Sequence, residues 1–148
     1  MKLEDLRDRL LKELAGCKGR ASLFLEIEGL IIEFNGNEVY QSASLIKLPI
    51  LIEALRQIEA GKLQKDRLVT IRESDKIGDT GVLQAMKVKQ LPVEDLLSLM
   101  TIVSDNSATN LLIDLIGTKS INSTISRIGM KNSILQRKML DFDAIQFG

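Results

Sequence analysis

An α+β fold with an unfinished sheet is what the sequence predicts, on three observations. Two short apolar runs around Glu28-Gly29 read as a β-hairpin near the start of the chain. From Ser44 onward apolar residues recur at helical spacing, giving four or five helices in all against only two clear strands. The chain then closes in a stretch, 130–148, that has no periodicity. A two-stranded hairpin is marginal unless something covers or extends it, so the sheet is expected to be completed by a C-terminal part that this chain lacks.

Taken in order, Leu3, Leu6, Leu10, Leu11 and Leu14 lie at helical spacing with charges between them, and predict an amphipathic helix ending near Gly16. Residues 21–27 and 30–34 supply the hairpin, and Asn35-Gly36-Asn37 opens the loop after it. From Ser44 to about Ala60 the pattern is helical and apolar nearly all round, which predicts a buried helix. Pro49 falls near its first turn, where a missing N–H costs little, and Gly61 is a plausible stop. Residues 62–92 read as loops with short elements. Helices are expected over 93–103 and 107–116, joined tightly at Ser104-Asp105-Asn106, and Thr118 suits the N-cap of a last helix running to Gly129.

The 148 residues suffice for one domain with a real core, and no repeat, low-complexity tract or linker divides them. The expectation is a single incomplete domain, with helix and hairpin over 1–43 and a helical subdomain over 44–148. Lys+Arg and Asp+Glu are equal at 20 each, and aromatics are only 3%, so nothing points to nucleic acid or an acidic membrane surface. No run approaches 18 apolar residues, so no membrane span is expected. The acidic start, Met1-Lys2-Leu3-Glu4-Asp5, lacks the pattern of a signal peptide, which leaves a cytoplasmic protein or an exported one without its signal.

There is no histidine, and Cys17 is the only cysteine. That excludes a histidine-based triad and an intrachain disulfide, and leaves no expected metal site or cofactor. Cys17 itself reads as a half-buried structural residue. A nucleophile here needs activation by something other than imidazole.

Ser44-Leu45-Ile46-Lys47 places a hydroxyl and an ammonium three residues apart at the start of a helix, on one face, so that Lys47 is expected to reach the Ser44 hydroxyl. Burial in an apolar helix favours the neutral amine, which accepts a proton, and the helix N-terminus favours the oxyanion that follows. The structural alternative is a serine N-cap followed by a solvated lysine. Against it stands the position of Lys47 inside an otherwise apolar helix. Ser104-Asp105-Asn106 is a rarer string whose structural reading is a helix–helix corner capped by Asp105 or Asn106. Capping and chemistry do not conflict: a second hydroxyl beside Ser44 and Lys47 relays a proton to a leaving nitrogen, and the Asn amide binds a carbonyl.

Ser-x-x-Lys opening a buried helix, followed about sixty residues later by Ser-Asp-Asn, resembles the class A β-lactamases and their penicillin-binding relatives. Gly81-Val82-Leu83, the 96–100 stretch, Ser107-Ala108-Thr109-Asn110-Leu111-Leu112 and the opening of an omega loop at 135–141 extend the likeness over nearly the whole chain. The resemblance implies the β-lactamase/transpeptidase-like fold, and acylation of Ser44 by a β-lactam or peptidoglycan-like substrate. It makes Lys47 the base or relay, Ser104 the donor to the ring nitrogen and Asn106 a substrate-binding residue. The family's oxyanion hole uses the N–H of the nucleophile and one from a late strand. By family resemblance the protein is secreted or periplasmic.

Two departures qualify the implied hydrolysis of β-lactams. The family's Lys-Thr/Ser-Gly motif and the strands that follow are absent, so a separate chain or a missing segment is expected to supply the C-terminal half, and the chain alone is not expected to fold stably. Setting Arg137 on the family's omega-loop arginine puts Met139 at the glutamate that activates the hydrolytic water, and a thioether is no base. Asp141, two residues on, is the candidate replacement. Without one the protein behaves as a penicillin-binding or DD-peptidase-like protein or sensor that deacylates slowly. A non-catalytic helical domain that keeps the motifs as caps is the remaining alternative.

Overall fold

A computed structural model describes residues 3–141 and 143–144, and divides the chain into two compact units, Met1–Gln41 and Ser42–Gly148. In the first unit α1 (Leu3–Ala15) turns Leu6, Leu10, Leu11 and Leu14 to its half-buried face. Strands β1 (Leu23–Ile27) and β2 (Leu30–Phe34) pair antiparallel, with Leu25 opposite Ile32 and the turn at Glu28-Gly29. Leu23, Leu25, Leu30, Ile32 and Phe34 share one face of the hairpin, as the period-two pattern requires, while Phe24 and Ile31 look outward. Cys17 is exposed, its thiol donating to the Glu13 carbonyl at 3.5 Å, rather than half-buried as expected. It follows the end of α1, where the chain has left the packed face.

The second unit begins with a 3₁₀ turn, Ala43–Ile46, that runs directly into α2 (Lys47–Glu59). Strands β3 (Leu68–Thr70) and β4 (Gln90–Pro92) form a separate antiparallel pair, with Val69 opposite Leu91. They are among the short elements expected within 62–92, and three residues hold too few alternations for the sequence to show them as strands. Helices α3 (Val93–Ile102), α4 (Asn106–Ile116) and α5 (Thr118–Arg127) follow. Thr118 is the first residue of α5 rather than its cap, which is Gly117.

The core of this unit is built at helical spacing: Ile46 from the 3₁₀ turn, Ile50 and Ala54 from α2, Leu96 and Met100 from α3, Ala108, Leu112 and Ile116 from α4, and Ile121 and Ile125 from α5. α2 lies against all three later helices. It is not buried all round, as its composition suggested. Leu45, Leu48, Ile52 and Leu55, spaced three and four apart, keep 69%, 55%, 42% and 52% of their surface exposed. The buried face carries Lys47 and Glu53 together with the apolar residues. Among the described residues no helix is long and apolar enough to cross a membrane, and no cluster of carboxylates and thiols is placed to hold a metal ion.

Candidate active site

Four of the residues expected from the sequence come together at the start of α2 and the α3–α4 corner. Lys47 is only 5% exposed and satisfies its ammonium with three acceptors. Its Nζ donates to the Ser104 carbonyl at 2.6 Å, to Ser104 Oγ at 2.8 Å and to Asn106 Oδ1 at 2.8 Å. Ser104 Oγ stands 3.0 Å from Ser44 Oγ and donates to it. The hydroxyls are therefore in line: Ser44, then Ser104, then the lysine. The direct bond from Lys47 to Ser44 that the three-residue spacing suggested is not made, because three closer acceptors occupy the ammonium.

Local structure explains this convergence. Ser44 sits within the 3₁₀ turn, so it is not a helix cap, and no side-chain bond caps that turn. Ser104 has φ +55, a left-handed conformation that costs a non-glycine residue about 1 kcal/mol or more. The bond from Lys47 to its carbonyl holds it there. Asp105 then starts α4 as its N-cap, Oδ1 accepting from Ala108 N at 2.9 Å. Its other oxygen accepts from Val82 N and Leu83 N, both at 2.7 Å. A single buried carboxylate thus fixes both the helix start and the loop beside the site.

That loop, residues 77–83, is tied down along its length. Ser107 Oγ accepts from Ile77 N at 2.8 Å and donates to Ile77 O at 3.2 Å, and Asn106 N donates to Thr80 O at 3.1 Å. Gly81 has φ +109, and a Cβ there would lie 2.2 Å from Asp105 Oδ2. Only glycine fits so close to the carboxylate. Asp79, unremarked in the sequence, accepts from Asn106 Nδ2 at 3.5 Å.

Burial pushes the Lys47 amine below its ordinary value of 10.5, and the nearby Asp105 and Asp79 carboxylates oppose that shift. The cluster thus lowers the cost of a neutral lysine while a hydroxyl bridges it to a second hydroxyl. Chemically, such an arrangement can draw a proton off Ser44.

Asp141 lies apart from these four. It lines a cavity of about 230 Å³ with Ser74, Asp75, Ile77, Asn110 and Asp114, and its Oδ1 accepts from Ala144 N at 3.2 Å. Met139, which the sequence resemblance would set on the family's glutamate, packs its side chain on the core, and its peptide is held by Asn110. A network on α2 also escaped the sequence reading. Glu53, fully buried, accepts from Arg56, Gln57 and Thr124. The Arg56 and Gln57 spacings, three and four residues on, were the available signal.

An α+β fold with Ser-x-x-Lys opening one helix and Ser-Asp-Asn turning the corner between two others defines the class of β-lactamases and penicillin-binding proteins. The chain belongs to the Beta-lactamase enzyme family, whose sequence profile matches residues 5–146. It is 24% identical over 117 residues to β-lactamase PSE-4 of Pseudomonas aeruginosa, a match covering 78% of this chain and 41% of that protein. The β-lactamase of Sphaerobacter thermophilus superposes with a TM-score of 0.76 at 36% identity, over 80% of this chain and 45% of that one. A mutant of PBP-A, an acyl-enzyme complex with penicillin G, superposes with a TM-score of 0.85 at 25% identity, over 97% and 56%. The chain thus spans about half the length of these relatives.

Proposed function

We propose that the protein is a serine acyl-transfer enzyme that takes the acyl group of a β-lactam onto Ser44. The observation that carries this reading is the unbroken line from Lys47 Nζ through Ser104 Oγ to Ser44 Oγ, at 2.8 and 3.0 Å. With Lys47 neutral, the Ser44 proton passes to Ser104 Oγ as the Ser104 proton passes to Lys47 Nζ. The hydroxyl rotors permit this direction. Ser44 Oγ then bonds to the lactam carbonyl carbon, the carbonyl oxygen takes the negative charge, and Asn106 Nδ2 binds a carbonyl of the substrate's side chain. Collapse of the intermediate breaks the C–N bond, and the proton returns from Lys47 through Ser104 to the leaving nitrogen.

A second part of the domain completes the site. The apolar stripe Leu45, Leu48, Ile52 and Leu55 favours this, because an exposed row of large apolar side chains marks a surface that another element covers. The half-length match to the relatives favours it too. In this reading the two units and the added part make one domain, and the added part supplies the second oxyanion donor.

Hydrolysis of the acyl-enzyme is the step on which this chain departs from its family, since Met139 offers no base. Its held peptide favours the reading of a penicillin-binding protein or sensor that keeps its acyl group. Intact mass with and without benzylpenicillin tests the acylation. A penicilloyl adduct on the wild-type chain, lost in Ser44→Ala while the circular dichroism is kept, is the expected result. No adduct on a protein supplied with its second half favours a non-catalytic domain.

A further inference from the structure

Asp79 stands at a defined place on the rim of the site. Its loop is anchored on both sides, at Ile77 by Ser107, at Thr80 by the Asn106 amide, and at Val82 and Leu83 by Asp105. Between these anchors Asp79 has φ +86 and its side chain is exposed. Oδ2 accepts from Thr80 Oγ1 at 3.2 Å and from Asn106 Nδ2 at 3.5 Å. Asn106 itself is oriented by Lys47, which takes its Oδ1 and leaves Nδ2 facing Asp79. Asp79 forms no ion pair with any described lysine or arginine. A carboxylate with no ion pair among the described residues is therefore fixed beside the Asn106 side-chain amide.

We propose that Asp79 is a specificity residue that selects acyl donors bearing an ammonium group next to the carbonyl held by Asn106. The inference rests on the acyl-transfer reading, in which Asn106 Nδ2 binds that carbonyl. An oxygen accepting from Nδ2 at about 2.9 Å carries its carbon, and the substituent on the next carbon, to within a few ångströms of Asp79 Oδ2. An amino group there is protonated at neutral pH and meets the carboxylate. An uncharged substituent meets only a hydrated anion. The substrate class is thus α-aminoacyl β-lactams, and by the same chemistry peptides with a free α-amino group. Because Asp79 is exposed, the preference is modest, about two- to fivefold, and weakens with salt.

Ampicillin and benzylpenicillin differ by this one amino group and make the test. The ratio of their acylation rates, followed by intact mass on the protein supplied with its second half, is expected to fall about threefold in Asp79→Asn, which keeps an acceptor for the Asn106 amide. It is also expected to fall with added sodium chloride in the wild type alone. Two adducts whose ratio is the same in wild type and variant overturn the selection while leaving acyl transfer standing. If neither penicillin forms an adduct on the protein supplied with its second half, the acyl-transfer reading fails, and a binding measurement decides for Asp79. In saturation-transfer NMR, phenylglycinamide should bind better than phenylacetamide, and the difference should vanish in Asp79→Asn. Equal binding of the two amides, or binding of neither, overturns the proposal.

Discussion

The side-chain amide of Asn110 grips the peptide of Met139 from both sides, Oδ1 accepting from Met139 N at 2.7 Å and Nδ2 donating to Met139 O at 3.1 Å. The thioether is thereby set against the core, and the proposed function gives it no part in activating water. Under excess benzylpenicillin the adduct on Ser44 is therefore expected to accumulate to full occupancy and to decay more slowly than it forms. Quenched intact-mass time courses measure both rates. Rapid consumption of penicillin with only a trace of adduct would contradict it.

In the proposed mechanism Lys47 sets the pH dependence of acylation. Its amine is pushed down by burial, with Asp105 and Asp79 pulling the other way. Only the neutral form accepts a proton from the Ser104 hydroxyl, so the acylation rate rises with pH, with a midpoint below 10.5. Removing one opposing carboxylate in Asp79→Asn moves that midpoint lower still. Lys47→Arg, which stays protonated throughout, is expected to lose about 10²-fold or more in rate. A rate that is flat with pH in the wild type would remove Lys47 from the role of base.

Two glycines separate backbone strain from crowding. Gly61 has φ +68 with nothing within 4 Å of an added Cβ, so Gly61→Ala should cost about 1 kcal/mol, the strain alone. Gly81 has φ +109, and its Cβ would meet the Asp105 carboxylate at 2.2 Å. Gly81→Ala must displace the cap of α4 and the loop it holds, and is expected to cost about 3 kcal/mol or more. Urea unfolding followed by circular dichroism measures both. Equal costs would mean that the loop moves aside freely.

The sequence pattern reached the first helix, the hairpin and the last three helices because each repeats its period over enough residues to be read. It reached Ser44, Lys47, Ser104 and Asn106 because two short strings carry them. What it missed depends on distant pairing. β3 meets β4 across about twenty residues with three residues each, too short for a pattern. Ser104 stands between Lys47 and Ser44 because three acceptors compete for one ammonium, a matter of distances that spacing along a helix does not contain. Asp79 reaches Asn106 only through the tethers of its loop. The exposed apolar stripe of α2 and the turn before it reads as core in the sequence, since composition cannot tell a buried face from an exposed one.

Glu53 is a buried carboxylate outside the site, and it makes acid stability testable. Arg56 donates to both of its oxygens at 2.7 and 2.8 Å, and Gln57 and Thr124 add bonds of 2.7 and 2.6 Å, the last reaching 71 residues along the chain to join α5 to α2. The Arg56 bonds lead in holding the carboxyl down to about 2 from 4.5, with burial acting against them. A carboxylate lowered on folding contributes its full stability above 4.5 and loses it as the pH falls from there toward 2. Because the Arg56 side chain keeps 38% of its surface in solvent, screening reduces the contribution to about 1–2 kcal/mol. Glu53→Gln should therefore be less stable than the wild type at pH 7, and its unfolding free energy should fall less between pH 4.5 and 2.5. Thr124→Val, which removes one donor and keeps the charge, should cost about 1 kcal/mol at pH 7. Parallel pH curves for wild type and Glu53→Gln would show that the carboxylate is not the group whose protonation loosens the contact of α2 with α5.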